Sequence, residues 1–161
     1  MSVNNCRLEN IEATIDAARK LCIDRQCKDA TGHNHHHSFR VHDTALALQA
    51  VEGGNIHVIR TAALLHDIND IKLLTTGIEP IDLIEFLINH GLTIEKAEHI
   101  DAVINRISFK GANVAHNAPD IETAVVMDAD RLDAIGASDI CLCLNFWNAF
   151  RLNGKEQCEI Q

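Results

Sequence analysis

Near the middle of the chain an adjacent imidazole and carboxylate, His66 and Asp67, close the apolar run Ala62-Ala63-Leu64-Leu65. Polar groups set in such a run demand hydrogen-bond partners or an ion, because burying them unsatisfied is costly. Further along, Asp128, Asp130 and Asp133 stand beside Val125, Val126, Met127, Leu132 and Ile135, so at least one carboxylate is drawn inward. Carboxylates gathered in a low dielectric repel one another unless something positive compensates, either Arg131 or a divalent cation. His37, at the end of a histidine-rich stretch, completes a set of two imidazoles and two carboxylates from separate segments. That set suits a borderline or hard divalent ion with water in the remaining positions, and open positions make a site catalytic rather than structural.

The elements that must position these residues read as helices, with no run of strict alternation that would make a strand. A first helix is expected over about residues 9–29, with Leu8, Ile11, Ile15, Ala18, Leu21 and Cys22 recurring at helical spacing. Gly32 and the histidines that follow it break the pattern. A second helix is expected from about His37 to Glu52, ended by Gly53 and Gly54. A third spans about Ile56 to Ile68 and, apolar on more than one face, should be the buried centre of a bundle. A fourth starts near Glu79 to Asp82 and stops at Asn89, and a fifth runs from Thr93 to about Ile107. A sixth covers about Asp120 to Ile135, placing Asp128 near an apolar stripe where it should tie helices together, with Arg131 paired to a carboxylate of another helix. A last helix is expected over about 138–150 before a polar tail from Asn153 to Gln161. The expected fold is all-α, a single helical domain over residues 1–161 with its core at about 9–150.

Composition limits the chemistry further. With 47% hydrophobic residues, no tyrosine and 4% aromatics, the core must be built from Leu, Ile, Val and Ala. A net charge of -9 without a Lys or Arg block argues against a polynucleotide partner, whereas a small phosphorylated molecule is still drawn to a metal ion. No apolar stretch approaches the roughly 18 residues that a membrane span requires. The six cysteines, Cys6, Cys22, Cys27, Cys141, Cys143 and Cys158, form no CxxC and follow no signal peptide. They read as small buried hydrophobes or incidental thiols in a reducing compartment, so a cytoplasmic location is expected.

Three blocks carry a family resemblance. They are Gly32-His33-Asn34-His35-His36-His37-Ser38-Phe39-Arg40-Val41, then Ala62 to Asp67 as AALLHD, then Asp128 to Ala137 as DADRLDAIGA, with Ile107-Ser108-Phe109-Lys110-Gly111 between the last two. In this order the chain resembles the HD-domain metal-dependent phosphohydrolase superfamily, in its branch of small bacterial and archaeal proteins with the pattern G-H-D-x-x-H-x-x-R-V, over about residues 15–140. The resemblance implies a helical HD-domain bundle and one divalent ion, Mn, Mg, Ni, Fe or Zn, held by His37, His66, Asp67 and Asp130. His37 is singled out from its histidine neighbours because it stands three residues before Arg40 and four before Val41. The resemblance makes Asp70 the acid that orients a water or shuttles its proton, a role that suits a residue one turn beyond a ligand.

Arg40, one turn after His37, is expected to fork onto phosphate oxygens, with Lys72 a second cation at the rim. Asp133 is expected to hold Arg40, Lys72 or part of the substrate. His33 is expected to lie over the pocket and touch phosphate, although Asn34 stands where the family pattern has Asp. The implied activity is hydrolysis of a phosphate ester or anhydride, foremost of a nucleoside triphosphate to monophosphate and pyrophosphate, with a nucleoside monophosphate phosphatase as the alternative. Relatives in this branch continue further past the DADRLDAIGA block, which leaves open a metal- and nucleotide-binding domain that needs a partner, with a homodimer as the natural cover for exposed helix faces. A di-iron oxygenase requires His90 with His116 as additional ligands, with His99 lying between them in sequence.

Overall fold

In the computed structural model, which describes residues 11–27, 34–70, 77–107 and 118–136, every regular element is a helix. They are α1 (Ile11–Gln26), α2 (His35–Glu52), α3 (Ile56–Leu65), α4 (Leu83–Asn89), α5 (Ile94–Ile107) and α6 (Ile121–Ala134). The all-α expectation holds. Helix α3 is the centre, packed against α1, α2, α5 and α6, while α2 also lies along α6 and α4 along α5. Its residues Val58, Ile59 and Thr61 to Leu65 are all buried, as the loss of a polar face in its sequence requires. Ile15 and Ala18 of α1, Val41 and Ala45 of α2, Ile100 and Val103 of α5, and Val125 and Val126 of α6 close around it. Among the described residues this core is aliphatic, without a Phe or Trp. Burying each Leu or Ile fully contributes about 1.5–3 kcal/mol.

Helix starts are fixed by caps. Asn34, Asn55, Asp82 and Asp120 each place a side-chain oxygen on backbone N–H groups of the first turn, which have no partner inside the helix. The Asn34 cap starts α2 at His35, earlier than the expected His37, and so puts His37 in the first turn. Asp82 likewise holds the start of α4 at Leu83, leaving Glu79 and Pro80 in the preceding segment. Gly54, with φ of 90°, makes the α2–α3 corner, and a Cβ there would stand 3.0 Å from the Ile121 side chain and 3.1 Å from that of Ile59. Only glycine allows that backbone to lie so close to α6.

Two expectations need correction. Helix α3 ends at Leu65 rather than Ile68, and the chain continues through tighter turns, Ile68 N–H donating to the Leu65 carbonyl at 3.1 Å and Asp70 N–H to that of Asp67 at 3.0 Å. Asp128 is exposed and pairs with Arg131 of its own helix at 3.6 Å, so neither ties helices together; Leu132 and Ile135, 46% and 69% exposed, also face outward. The reason is register: Val126, Ala129, Asp130 and Asp133 recur at helical spacing on the face that α6 turns inward. Cys27 is exposed while Cys22 is buried, so only Cys22 behaves as a buried hydrophobe among the described cysteines. The expected helix over 138–150, the polar tail and the remaining cysteines lie outside the described residues.

Candidate metal centre

Three helices deliver one cluster. α2 contributes His37 from its first turn, the end of α3 contributes His66 and Asp67, and α6 contributes Asp130 and, one turn later, Asp133. His37 Nε2 lies 3.2 Å from His66 Nε2, 3.6 Å from Asp67 Oδ2 and 3.3 Å from Asp130 Oδ1. His66 Nε2 lies 3.4 Å from Asp67 Oδ2 and 3.6 Å from Asp130 Oδ1. His37 and His66 are buried and Asp67 half-buried, a grouping able to hold a divalent metal ion.

The opposite ring nitrogens decide how the two imidazoles meet. His37 Nδ1 donates to Asp133 Oδ2 at 2.7 Å, and His66 Nδ1 donates to the Ala63 carbonyl at 2.9 Å. Each neutral ring therefore carries its proton on Nδ1 and turns a bare Nε2 lone pair toward the other. Two lone pairs at 3.2 Å, flanked by two carboxylate oxygens, repel unless a positive charge sits among them. Ligand atoms bound about 2.0–2.2 Å from one ion lie roughly 2.8–3.6 Å apart in octahedral to tetrahedral shells, so the spacing fits a single small divalent cation.

The electrostatics agree. Burial works against a charged His66, but Asp67 and Asp130 outweigh it and hold its proton affinity well above the usual histidine range. Burial also pushes Asp130 up, yet the adjacent His37 and His66 outweigh it and its carboxyl is held well below the ordinary carboxylate range. For Asp133 the same contest is won by Arg40 and His37.

Arg40 is placed next to the cluster, but its fork is on protein: Nε donates to Asp133 Oδ1 and NH2 to Asp133 Oδ2, both at 2.8 Å. The guanidinium expected on phosphate oxygens thus grips a buried carboxylate across the α2–α6 contact. Asp70 sits half-buried one tight turn past Asp67. His33 and Lys72 lie outside the described residues, as does His116.

His90 and His99 are not part of this cluster. His90 is exposed at the end of α4, its Nδ1 donating to the Phe86 carbonyl at 2.7 Å and its ring tilted 40° against that of Phe86. His99 stands near Asp120 and Glu122, but Asp120 caps α6 through Thr123 N–H at 2.8 Å and lies 3.6 Å from Arg106, while Glu122 accepts from Asn55 N–H at 2.8 Å.

Sequence reading missed the residues that brace the centre. Beneath it, the Cys22 thiol donates to the Leu64 carbonyl at 2.7 Å and the Ser38 hydroxyl donates to Gln26 Oε1 at 3.1 Å, tying α1 to both ligand-bearing segments. Beyond it, the Asn69 amide donates to the Ile81 carbonyl at 2.8 Å and accepts from Ile81 N–H at 3.0 Å, fixing the turn that carries Asp70. A polar residue directly after a ligand, as Ser38 is, was the available signal; nothing in the sequence pairs Asn69 with Ile81.

No family model matches the chain. It is 36% identical over 133 residues to the uncharacterized protein YpgQ of Bacillus subtilis, covering 80% of this chain and 65% of that protein. The crystal structure of YpgQ in complex with ADP matches with a TM-score of 0.67 at 32% identity, covering 84% of this chain and 68% of that one. The crystal structure of an HD-superfamily hydrolase from Bacillus thuringiensis matches with a TM-score of 0.61 at 33% identity, over 86% of this chain and 65% of that one. The chain thus spans about two thirds of the length of these relatives.

Proposed function

We infer that this chain, which belongs to the HD superfamily of helical metal-dependent hydrolases, hydrolyses a phosphate ester or anhydride of a nucleotide, with release of pyrophosphate from a nucleoside triphosphate as the favoured reaction. The observation that carries this reading is the pair of Nε2 lone pairs facing each other at 3.2 Å between two carboxylate oxygens. The bound ADP of YpgQ supports a nucleotide as the substrate class.

His37, His66, Asp67 and Asp130 are the proposed ligands. These residues would hold a divalent ion, which when bound would supply positive charge for a phosphoryl oxygen and lower the pKa of a water. Asp70, set by the Asp67 carbonyl on one side and by the Asn69–Ile81 clasp on the other, is proposed to orient that water and take its proton. His33 and Lys72, adjacent in sequence to the two ligand segments, are proposed to meet the phosphate charge. Arg40 adds cationic charge beside the cluster while it holds Asp133.

Metal-free protein supplied separately with Mn²⁺, Mg²⁺, Ni²⁺ and Zn²⁺ should release pyrophosphate from nucleoside triphosphates, and Asp67→Ala and Asp70→Ala should not. Orthophosphate from monophosphates under the same metal dependence would select the phosphatase instead. A tightly bound ion without turnover on either class would leave a metal-bearing domain that works only with a partner.

A further inference from the structure

One carboxylate at the centre has more partners than a ligand-holding role for its neighbour Asp130 explains. The side chain of Asp133 is buried, with only 8% of it exposed, and takes three hydrogen bonds: Oδ2 from His37 Nδ1 at 2.7 Å, Oδ2 from Arg40 NH2 at 2.8 Å, and Oδ1 from Arg40 Nε at 2.8 Å. All three partners are donors, and Asp133 offers only acceptors.

We propose that Asp133 is the positioning residue of the metal centre, fixing His37 as an Nδ1–H tautomer with Nε2 aimed at the ion, and that Arg40 acts through Asp133 rather than on substrate. This rests on the metal-site reading above. The geometry requires it in three steps. His37 lies in the first turn of α2, its backbone N–H held by Asn34, and Asp133 anchors its ring on the far side so that Nε2 faces His66. A carboxylate is the anchor that cannot donate, so it excludes the other tautomer, in which Nδ1 would be an acceptor and Nε2 would carry the proton. Arg40 then locks the plane of that carboxylate with two parallel bonds, which sets the angle at which Oδ2 meets His37.

The arrangement makes a prediction that simple loss of a buried ion pair does not. In Asp133→Asn the side chain has one acceptor and one donor face, and Arg40 and His37 compete for the acceptor. Where the oxygen turns to Arg40, the amide N–H turns to His37 Nδ1 and drives the ring into the tautomer that cannot bind metal through Nε2. Arg40→Gln relieves the competition: Gln Oε1 is as many bonds from its backbone as Arg Nε, so it can accept from the amide N–H introduced by Asp133→Asn while the oxygen of that same amide accepts from His37.

The test is titration of the full, metal-stripped chain with Co²⁺ alone, followed by visible absorption, together with ¹⁵N-histidine NMR of the Zn²⁺-loaded protein to read the His37 tautomer. Asp133→Asn should bind Co²⁺ on the order of 10- to 100-fold more weakly. Arg40→Gln combined with Asp133→Asn should regain about tenfold of that loss and show His37 protonated on Nδ1. Unchanged affinity in Asp133→Asn, or a double variant that binds no better than it, overturns the proposal. Should Asp133→Asn fail to fold, the double variant is compared with Arg40→Gln alone: His37 protonated on Nδ1 in both supports the proposal, and a flipped tautomer in the double variant overturns it. A wild-type chain that binds no Co²⁺ would sink the metal-site reading itself, an outcome distinct from any of these.

Discussion

His37 and His66 face each other through Nε2 atoms 3.2 Å apart while each Nδ1–H is spent elsewhere, on Asp133 and on the Ala63 carbonyl. Packing has thus gathered two ring nitrogens and two carboxylate oxygens around one point that attracts positive charge, and the folded state gains from a cation placed there. Metal binding and stability should therefore be linked. At a free metal concentration about a hundred times Kd the gain is about 2.7 kcal/mol, or roughly 5–11 °C in Tm for a domain of this size. Differential scanning calorimetry with and without chelator should show that shift in the wild type, and Asp67→Ala should abolish it.

Asn34 caps α2 through its Oδ1, which accepts from His36 N–H at 3.0 Å and His37 N–H at 3.3 Å. The family pattern has Asp here, and the structure shows why the departure is mild: Asn and Asp cap about equally well. Asn34→Asp should leave stability within about 0.5 kcal/mol, helped slightly by the helix dipole, whereas Asn34→Ala should cost about 1 kcal/mol. Because the cap holds the backbone of His37 itself, Asn34→Ala should also weaken Mn²⁺ binding measurably by isothermal titration. Unaltered Mn²⁺ affinity would show that Asp133 alone suffices to hold the ring.

The parts legible in the sequence were those written in local pattern. AALLHD announced a buried helix ending in polar groups, and that is what α3 does, with Ala62 to Leu65 fully buried. The spacing of Asp130 and Asp133, one helical turn apart, put both on one face of α6, and both reach the centre. What could not be read was set by contacts distant in sequence. Whether Arg40 grips phosphate or protein depends on how α2 lies along α6, and the pairing with Asp133 spans 93 positions. Asp128 and Leu132 look as inward as their neighbours in composition, and only the rotation of α6 about its axis turns them out.

Asp120 joins α6 to α5: Oδ1 accepts from Thr123 N–H at 2.8 Å, while Oδ2 lies 3.6 Å from Arg106 and 3.9 Å from His99. Burial pushes its carboxyl up, but the bonds to Thr123 and the nearby His99 and Arg106 outweigh that and lower it overall. A lowered folded-state pKa means stability that is present above the unfolded value of about 3.9 and is lost as pH falls through the folded one. Asp120→Ala should therefore cost about 1 kcal/mol near neutrality, and its difference from wild type should narrow below about pH 4. Urea unfolding at pH 7 and pH 3 measures both; a gap that widens in acid would show that the carboxylate does not act through its charge.

Cys22 offers a probe of the centre that needs no substrate. Its side chain is buried beneath the ligand segment, its thiol donates to the Leu64 carbonyl at 2.7 Å, and burial, with a smaller contribution from Asp67, pushes its pKa up to about 12. The thiolate is the nucleophile, so a protonated and inaccessible thiol reacts slowly with iodoacetamide at pH 8, while Cys27, exposed at the end of α1, has no such barrier. Peptide mass mapping after alkylation should find Cys27 modified and Cys22 protected by at least about a hundredfold, since its reaction waits on opening of a core worth several kcal/mol. Because Cys22 and the ligand residues share the same buried contact, binding of Zn²⁺ should slow its alkylation further, and Asp67→Ala should remove that added protection. Equal reactivity of the two cysteines in the native protein would mean that α1 does not cover the centre as the Cys22–Leu64 bond implies.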